Sequence, residues 1–193
     1  MTRVGYMGIP FSNSEEAAEE FSEKWGWREV ELVPLMTAEG VVNAVESGEI
    51  EFGVVAASNI VAGPVAETVA AMKNVADIDQ VDMVSLPIHH CVFAKSSGSN
   101  IKTIASHPQA LAQCKGSIEK LYPGAKTSET KDTAYAAQLL SEGKLSDDVA
   151  VLCRKNAGEF YNLALLQENI EDSKENSTSF VLLRLGRCRA CHI

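Results

Sequence analysis

Four short segments concentrate small hydrogen-bonding side chains: Ser12-Asn13-Ser14, Ser58-Asn59, Ser106-His107 and the stretch from Thr130 to Thr133. Each follows an extended stretch and precedes a segment with helical spacing. Hydroxyls, amides and uncommitted backbone N–H groups gathered there make a receptor for a small anion such as a carboxylate. The same residue types are also ordinary helix N-caps, and the pattern alone leaves both readings open. Cys188, Cys191 and His192 formally match the CxxCH haem-attachment spacing, but they stand at the end of the chain without an export signal. As half a zinc site they need two further ligands, so no metal and no cofactor is expected. His89-His90-Cys91 has no acidic residue at ligand spacing and is expected to pack and hydrogen-bond.

The elements that must position these groups alternate between short apolar strands and amphipathic helices. Val4–Met7 reads as a strand, followed by a helix with Ala17, Ala18, Phe21 and Trp25 on one face. Ser12 with Glu15 fits a capping box at its start. Val30–Leu35 is the next strand, and Thr37 caps a helix carrying Val41, Val42 and Val45. The apolar run Phe52–Ala57 reads as a strand buried on both faces, with a helix from about Pro64 to Lys73 after it. In the second half, extended Val84–Ala94 precedes a strand at Thr103–Ala105 and a helix from Pro108 to about Tyr122. A helix over Thr133–Glu142, a strand at Val149–Leu152, a helix over Lys155–Leu163 and a strand at Phe180–Leu185 complete the pattern. Such alternation predicts an α/β fold with mainly parallel sheet, and ligands in such folds collect at the carboxyl ends of strands.

The 17 Lys+Arg against 26 Asp+Glu leave a net charge of −9, which argues against nucleic-acid or anionic-membrane binding. No apolar run reaches the roughly 18–20 residues of a membrane span, and no signal peptide is legible, so a cytoplasmic protein is expected. Five cysteines are an odd number and a poor disulfide framework. Cys114 and Cys153 are expected to be inert core thiols.

Ser106-His107-Pro108-Gln109-Ala110-Leu111-Ala112-Gln113-Cys114 closely resembles the SHPQALxQC signature of prephenate dehydratases. The opening Tyr6 to Ala18 resembles a divergent YLGPxGTFSxxAA, and Thr133-Ala134-Tyr135-Ala136-Ala137 resembles the family's Thr-Ala-x-Ala-Ala helix start. Ile170-Glu171-Asp172 through Asn176-Ser177-Thr178-Ser179-Phe180 resembles its IxDxxxNxTRF ending. Four motifs in order and at the right spacing identify the chain as a member of that family. The resemblance implies two α/β lobes with an interlobe cleft, similar to type II periplasmic binding proteins. Lobe one would comprise about 1–91 plus 170–193 and lobe two about 92–169, with no ACT domain in this chain. It also implies decarboxylative dehydration of prephenate or arogenate and a homo-oligomer. By motif position Thr178 would be catalytic. Ser12, Ser14, Asn59, Ser106, Gln113 and Thr133 would bind the substrate.

Several motif positions depart from the family pattern. The TRF arginine is Ser179, and the ENS loop reads Ala57-Ser58-Asn59-Ile60, with Ala62 at its following Glu. Phe11 and Asn13 replace a Gly and a Phe of the opening motif. These changes are expected to alter what the cleft recognises, since Ser cannot supply an arginine fork. Three functions therefore follow from the sequence: a dehydratase, a prephenate decarboxylase that does not aromatise, and a non-catalytic binder of a small carboxylate. The positive charge for a dianion is assigned to one or more of Arg3, Lys95, Lys131, Arg154 and Lys155.

Overall fold

The computed structural model describes residues 1–73, 75 and 77–186. The chain lays down β1 (Thr2–Tyr6), α1 (Asn13–Lys24), β2 (Val30–Pro34), α2 (Ala38–Glu46), β3 (Phe52–Asn59), β4 (Gly63–Pro64), α3 (Ala66–Met72) and β5 (Ile78–Pro87). It crosses through residues 88–90 into β6 (Cys91–Ala94), β7 (Thr103–Ser106), α4 (Pro108–Gln113), α5 (Lys115–Leu121) and β8 (Lys126–Glu129). Then come α6 (Thr133–Ser141), β9 (Val149–Cys153), α7 (Lys155–Phe160) and β10 (Ala164–Gln167), and residues 168–176 lead back to β11 (Ser177–Leu185). One sheet has the order β2-β1-β3-β11-β5 with β4 beside β3; the other has the order β10-β6-β9-β7-β8.

Each sheet is covered on both faces, which is why its central strands are apolar on alternate and successive residues alike. Ala17, Ala18 and Phe21 of α1 pack on Val4, Tyr6, Val54, Phe180 and Leu182; Val41 and Val45 of α2 pack on Val55, Val181 and Leu183. In the second sheet, Ala134, Ala137 and Leu140 of α6 cover one face, and Leu111 of α4 with Ile118 of α5 covers the other. Cys114 and Cys153 are buried there, as expected of core thiols.

The sheets are mixed, which corrects the expectation of mainly parallel pairing. β1 pairs in parallel with β2 and β3, and β7 with β8 and β9. β11, entering from the crossover after the second sheet is complete, lies antiparallel between β3 and β5. β6 is likewise antiparallel to β9 and β10. The helix expected from Pro108 to Tyr122 breaks at Cys114, where φ is −114° and ψ 11°. Its second half is capped from a distance: Asp172 accepts from the backbone N–H groups of Gly116 and Ser117, both at 2.8 Å. The residues about Pro64 form a short strand, so that helix begins at Ala66. The two crossovers are laced together, with Ile88 N donating to Asn176 O and Ile170 N to His90 O, each at 2.9 Å.

Candidate active site

A cleft opens where the two sheets meet. The first sheet contributes Gly8, Asn13, Ser14, Met36, Thr178 and Phe180; the second contributes His107, Gln109, Gln113, Lys131, Asp132 and Thr133, and His90 enters from the crossover. The helices aim their first turns here because their caps are short polar residues. Ser12 Oγ accepts from Glu15 N at 3.3 Å, and Asp132 Oδ1 accepts from Ala134 N and Tyr135 N. Glu15 does not close the capping box onto Ser12. Its carboxylate instead accepts from Phe11 N and the Tyr6 hydroxyl, bracing Phe11 at a φ of 71°. Gly8, at a φ of 100°, turns the chain off β1, and a Cβ there would lie 2.9 Å from both Asp132 Oδ2 and Ser12 Oγ.

Behind the cleft runs a buried chain of amides. Asn59 Oδ1 accepts from Val61 N and Ala62 N, both at 2.9 Å, so its Nδ2 must be the donating end. That Nδ2 lies 2.8 Å from Asn176 Oδ1, 2.9 Å from Ser177 O and 3.0 Å from Thr178 Oγ1. Asn176 Nδ2 in turn donates to Ile88 O at 3.1 Å and Gln113 Oε1 at 3.0 Å. Gln113 Oε1 can only accept, so His90 Nε2, 2.7 Å away, carries the proton. Backbone groups thus fix Asn59 and Asn176, Asn176 fixes Gln113, and two consequences follow. His90 Nδ1 is a bare acceptor, buried without a partner among the described residues. Thr178 Oγ1 receives a hydrogen bond, which leaves its own hydrogen free to donate into the cleft.

Of the residues assigned by motif, Ser14, Gln113, Thr133 and Thr178 line the cleft. Ser12 and Asn59 stand behind it, one capping α1 and the other holding Thr178. Ser106 is fully buried and is not among the cleft-lining residues; its hydroxyl donates to Leu152 O at 2.7 Å and fastens β7 to β9. His90 was expected only to pack and hydrogen-bond, as it does with Gln113; Asp132 lay within the Thr130–Thr133 stretch, and neither it nor Asn176 was assigned a site role. Asn176 was legible as a motif letter, whereas the partner of His90, Gln113, is 23 residues away and gives no local signal.

Among the five basic residues considered, four are committed elsewhere. Arg3 pairs with Glu31, Lys95 with Asp147 and Lys155 with Glu168. Arg154 pairs with Glu16 and donates to Ser12 O, clamping α1 to the second sheet. Lys131 lines the cleft and has no ion-pair partner among the described residues. Burial pushes the titration of His90 and His107 down, so both are neutral at pH 7. His107 Nδ1 caps α4 by accepting from Gln109 N, as its place before Pro108 predicts. Burial raises Asp132 to about 6 against the pull of its two backbone hydrogen bonds. No group of three or more His, Cys, Asp or Glu able to hold a metal occurs among the described residues; Cys188, Cys191 and His192 lie outside them.

Residues 4–187 match the family model described as prephenate dehydratase. The chain belongs to the prephenate dehydratase family. It is 37% identical over 131 residues to a prephenate dehydratase of Methanocaldococcus jannaschii, covering 68% of this chain and 47% of that protein. It is 32% identical over 183 residues to the chloroplastic arogenate dehydratase 5 of Arabidopsis thaliana, covering 94% of this chain and 41% of that one. The chain therefore spans less than half the length of these curated relatives. A crystal structure of prephenate dehydratase from Arthrobacter aurescens, in complex with L-Phe, shares the fold with a TM-score of 0.82 at 22% identity, over 97% of this chain and 61% of that one. A periplasmic substrate-binding protein from Coxiella burnetii is a more distant fold neighbour, with a TM-score of 0.53 at 14% identity, over 96% of this chain and 84% of that one.

Ser58 and Ser179 lie on neighbouring strands, β3 and β11. Thr178 and Phe180 both line the cleft, whereas Ser179, between them on the strand, points to the other face. There Ser179 is registered opposite Ser58, and its hydroxyl lies 2.9 Å from that of Ser85. Ser58 and Ser179 thus face each other across β3 and β11, and neither is among the residues that line the cleft with Thr178.

Proposed function

We propose that the cleft catalyses the decarboxylative dehydration of prephenate to phenylpyruvate, or of arogenate to phenylalanine, as a carbon–oxygen lyase of phenylalanine biosynthesis. The observation that carries this reading is Thr178. Its Oγ1 is held at 3.0 Å by Asn59 Nδ2, an orientation that keeps its hydrogen available to the departing ring hydroxyl. Loss of carbon dioxide and hydroxide restores an aromatic ring, so the protein need only orient the substrate and stabilise the leaving oxygen. Lys131, Ser14, Thr133 and the first turns of α1 and α6 supply the attraction for its carboxylates.

In this reading the two sheets act as lobes, about 1–91 plus 170–193 and about 92–169, that close on the substrate about the laced crossovers. In the same reading the protein is cytoplasmic and a homo-oligomer; the outer edge of β5, unpaired among the described residues and carrying the exposed Met83, supports the oligomer. Among the described residues no helix is long and apolar enough to cross a membrane. The reading is tested by incubating the protein with prephenate and with arogenate while following substrate and aromatic product together. Equal loss of prephenate and gain of phenylpyruvate is expected, or the same balance for arogenate and phenylalanine. Prephenate lost without an aromatic product would establish the decarboxylase instead, and no loss of either compound would leave a binding protein.

A further inference from the structure

Asp132 occupies an unusual place for an acidic side chain in a cleft that binds an anion. One carboxylate oxygen, Oδ1, is spent on α6, 2.7 Å from Ala134 N and 3.1 Å from Tyr135 N. The other, Oδ2, has no hydrogen bond and no cation among the described residues, and it sits beside Gly8, where the absent side chain leaves room for it and for Ser12 Oγ. The titratable and charged groups around it give little support to a negative charge. Tyr6 on β1 is hydrogen-bonded to Glu15 of α1; Cys153 of β9 and Tyr161 beyond α7 are neutral. His90 and His107 face the same cleft uncharged, Arg154 is paired with Glu16, and Lys131 extends from the neighbouring position without reaching the carboxylate.

A ligand carboxylate or keto oxygen entering this cleft meets an unpaired acceptor at Oδ2. Two acceptors facing each other repel, unless one of them carries a hydrogen. We infer that Asp132 binds the ligand as a neutral carboxylic acid, donating from Oδ2 to an oxygen of the bound compound, so that binding draws one proton from solution. The inference rests on the reading of the cleft as the site of a small carboxylate compound and adds to it a donor that the motif residues do not include. The proton goes to Asp132 and stays there while the ligand is bound; no bond of the ligand is broken by it.

The test is calorimetric titration of the protein with phenylpyruvate at pH 7 in MOPS and in Tris, buffers that differ in ionisation enthalpy. A carboxyl titrating at about 6 is about nine-tenths ionised at pH 7 before binding, so uptake of about 0.9 proton per site is expected. Asp132→Asn keeps an acceptor for Ala134 and Tyr135, and Asp132→Ser keeps a cap as well. In both variants the uptake is expected to vanish; Asn, whose Nδ2 can donate in place of the protonated Oδ2, is expected to keep binding, and Ser to bind more weakly. Binding without uptake in the unmodified protein overturns the inference. Unchanged uptake in both variants overturns it too, by assigning the proton to His90 or His107. If phenylpyruvate, prephenate and arogenate all fail to bind, the site reading falls and the inference with it.

Discussion

Replacing Asp132 by Asn changes stability in a way that depends on pH with a definite sign. In the folded protein the carboxyl titrates at about 6, against 3.8 in the unfolded chain, because burial penalises its charge. The folded state therefore binds the proton more tightly. Its stabilising contribution is complete below about pH 4 and is lost as pH rises through 6. A shift of about two pH units corresponds to roughly 3 kcal/mol. Water reaches Oδ2 from the cleft, and the ionised carboxylate also favours the N-terminus of α6, so the net effect is about 1–2 kcal/mol. Asn caps a helix as well as Asp does and carries no charge at any pH. The variant is thus expected to match the natural protein at pH 4 and to exceed it at pH 7.5 by about 1–2 kcal/mol, or about 2–8 °C in Tm for a chain of this size. Urea and thermal melts of both proteins at pH 4, 5.5 and 7.5 measure the difference. A gap that stays constant with pH, or a variant less stable at pH 7.5, would refute the argument.

Asn176→Ala removes the donor from Ile88 O and Gln113 Oε1 and the acceptor from Asn59, all in a buried setting. It is expected to cost about 2–4 kcal/mol in urea melts and, at temperatures where it stays folded, to lower kcat more than it raises KM. Ser179→Arg alone is expected to bring no gain in kcat/KM, since its side chain lies away from Thr178. Combined with Ser58→Glu it should recover about 0.2–1 kcal/mol of cross-strand coupling in a double-mutant cycle. Lys131→Gln is expected to raise KM about fivefold with little change in kcat, and to flatten the salt dependence of kcat/KM.

The order of strands and helices was legible because each element carries its own periodicity and caps: Val41, Val42 and Val45 after Thr37, or Pro108 after His107. Strand direction was not, because β11 acquires its neighbours only after the chain has built the whole second sheet. The break at Cys114 escaped for the same reason, since the carboxylate that caps α5 belongs to Asp172, 56 residues from Gly116. Motif letters located Thr178, Ser14, Thr133 and Gln113 but did not separate them from Ser106, whose hydroxyl serves β9. Nor did they give the facing of Ser179, which depends on the alternation along β11. The amide chain from His90 to Thr178 joins residues as far as 119 positions apart, and no local pattern predicts such a contact.

The central claim is that Thr178 donates its hydroxyl hydrogen to the leaving oxygen of the substrate. Phenylpyruvate formation from prephenate, compared among the natural protein, Thr178→Ser and Thr178→Val, tests it most directly. The account predicts that Ser retains turnover, while Val, of nearly the same shape but without the hydroxyl, loses about 10²–10⁴-fold in kcat and still binds phenylpyruvate. Turnover by Thr178→Val within a few-fold of the natural protein would contradict it.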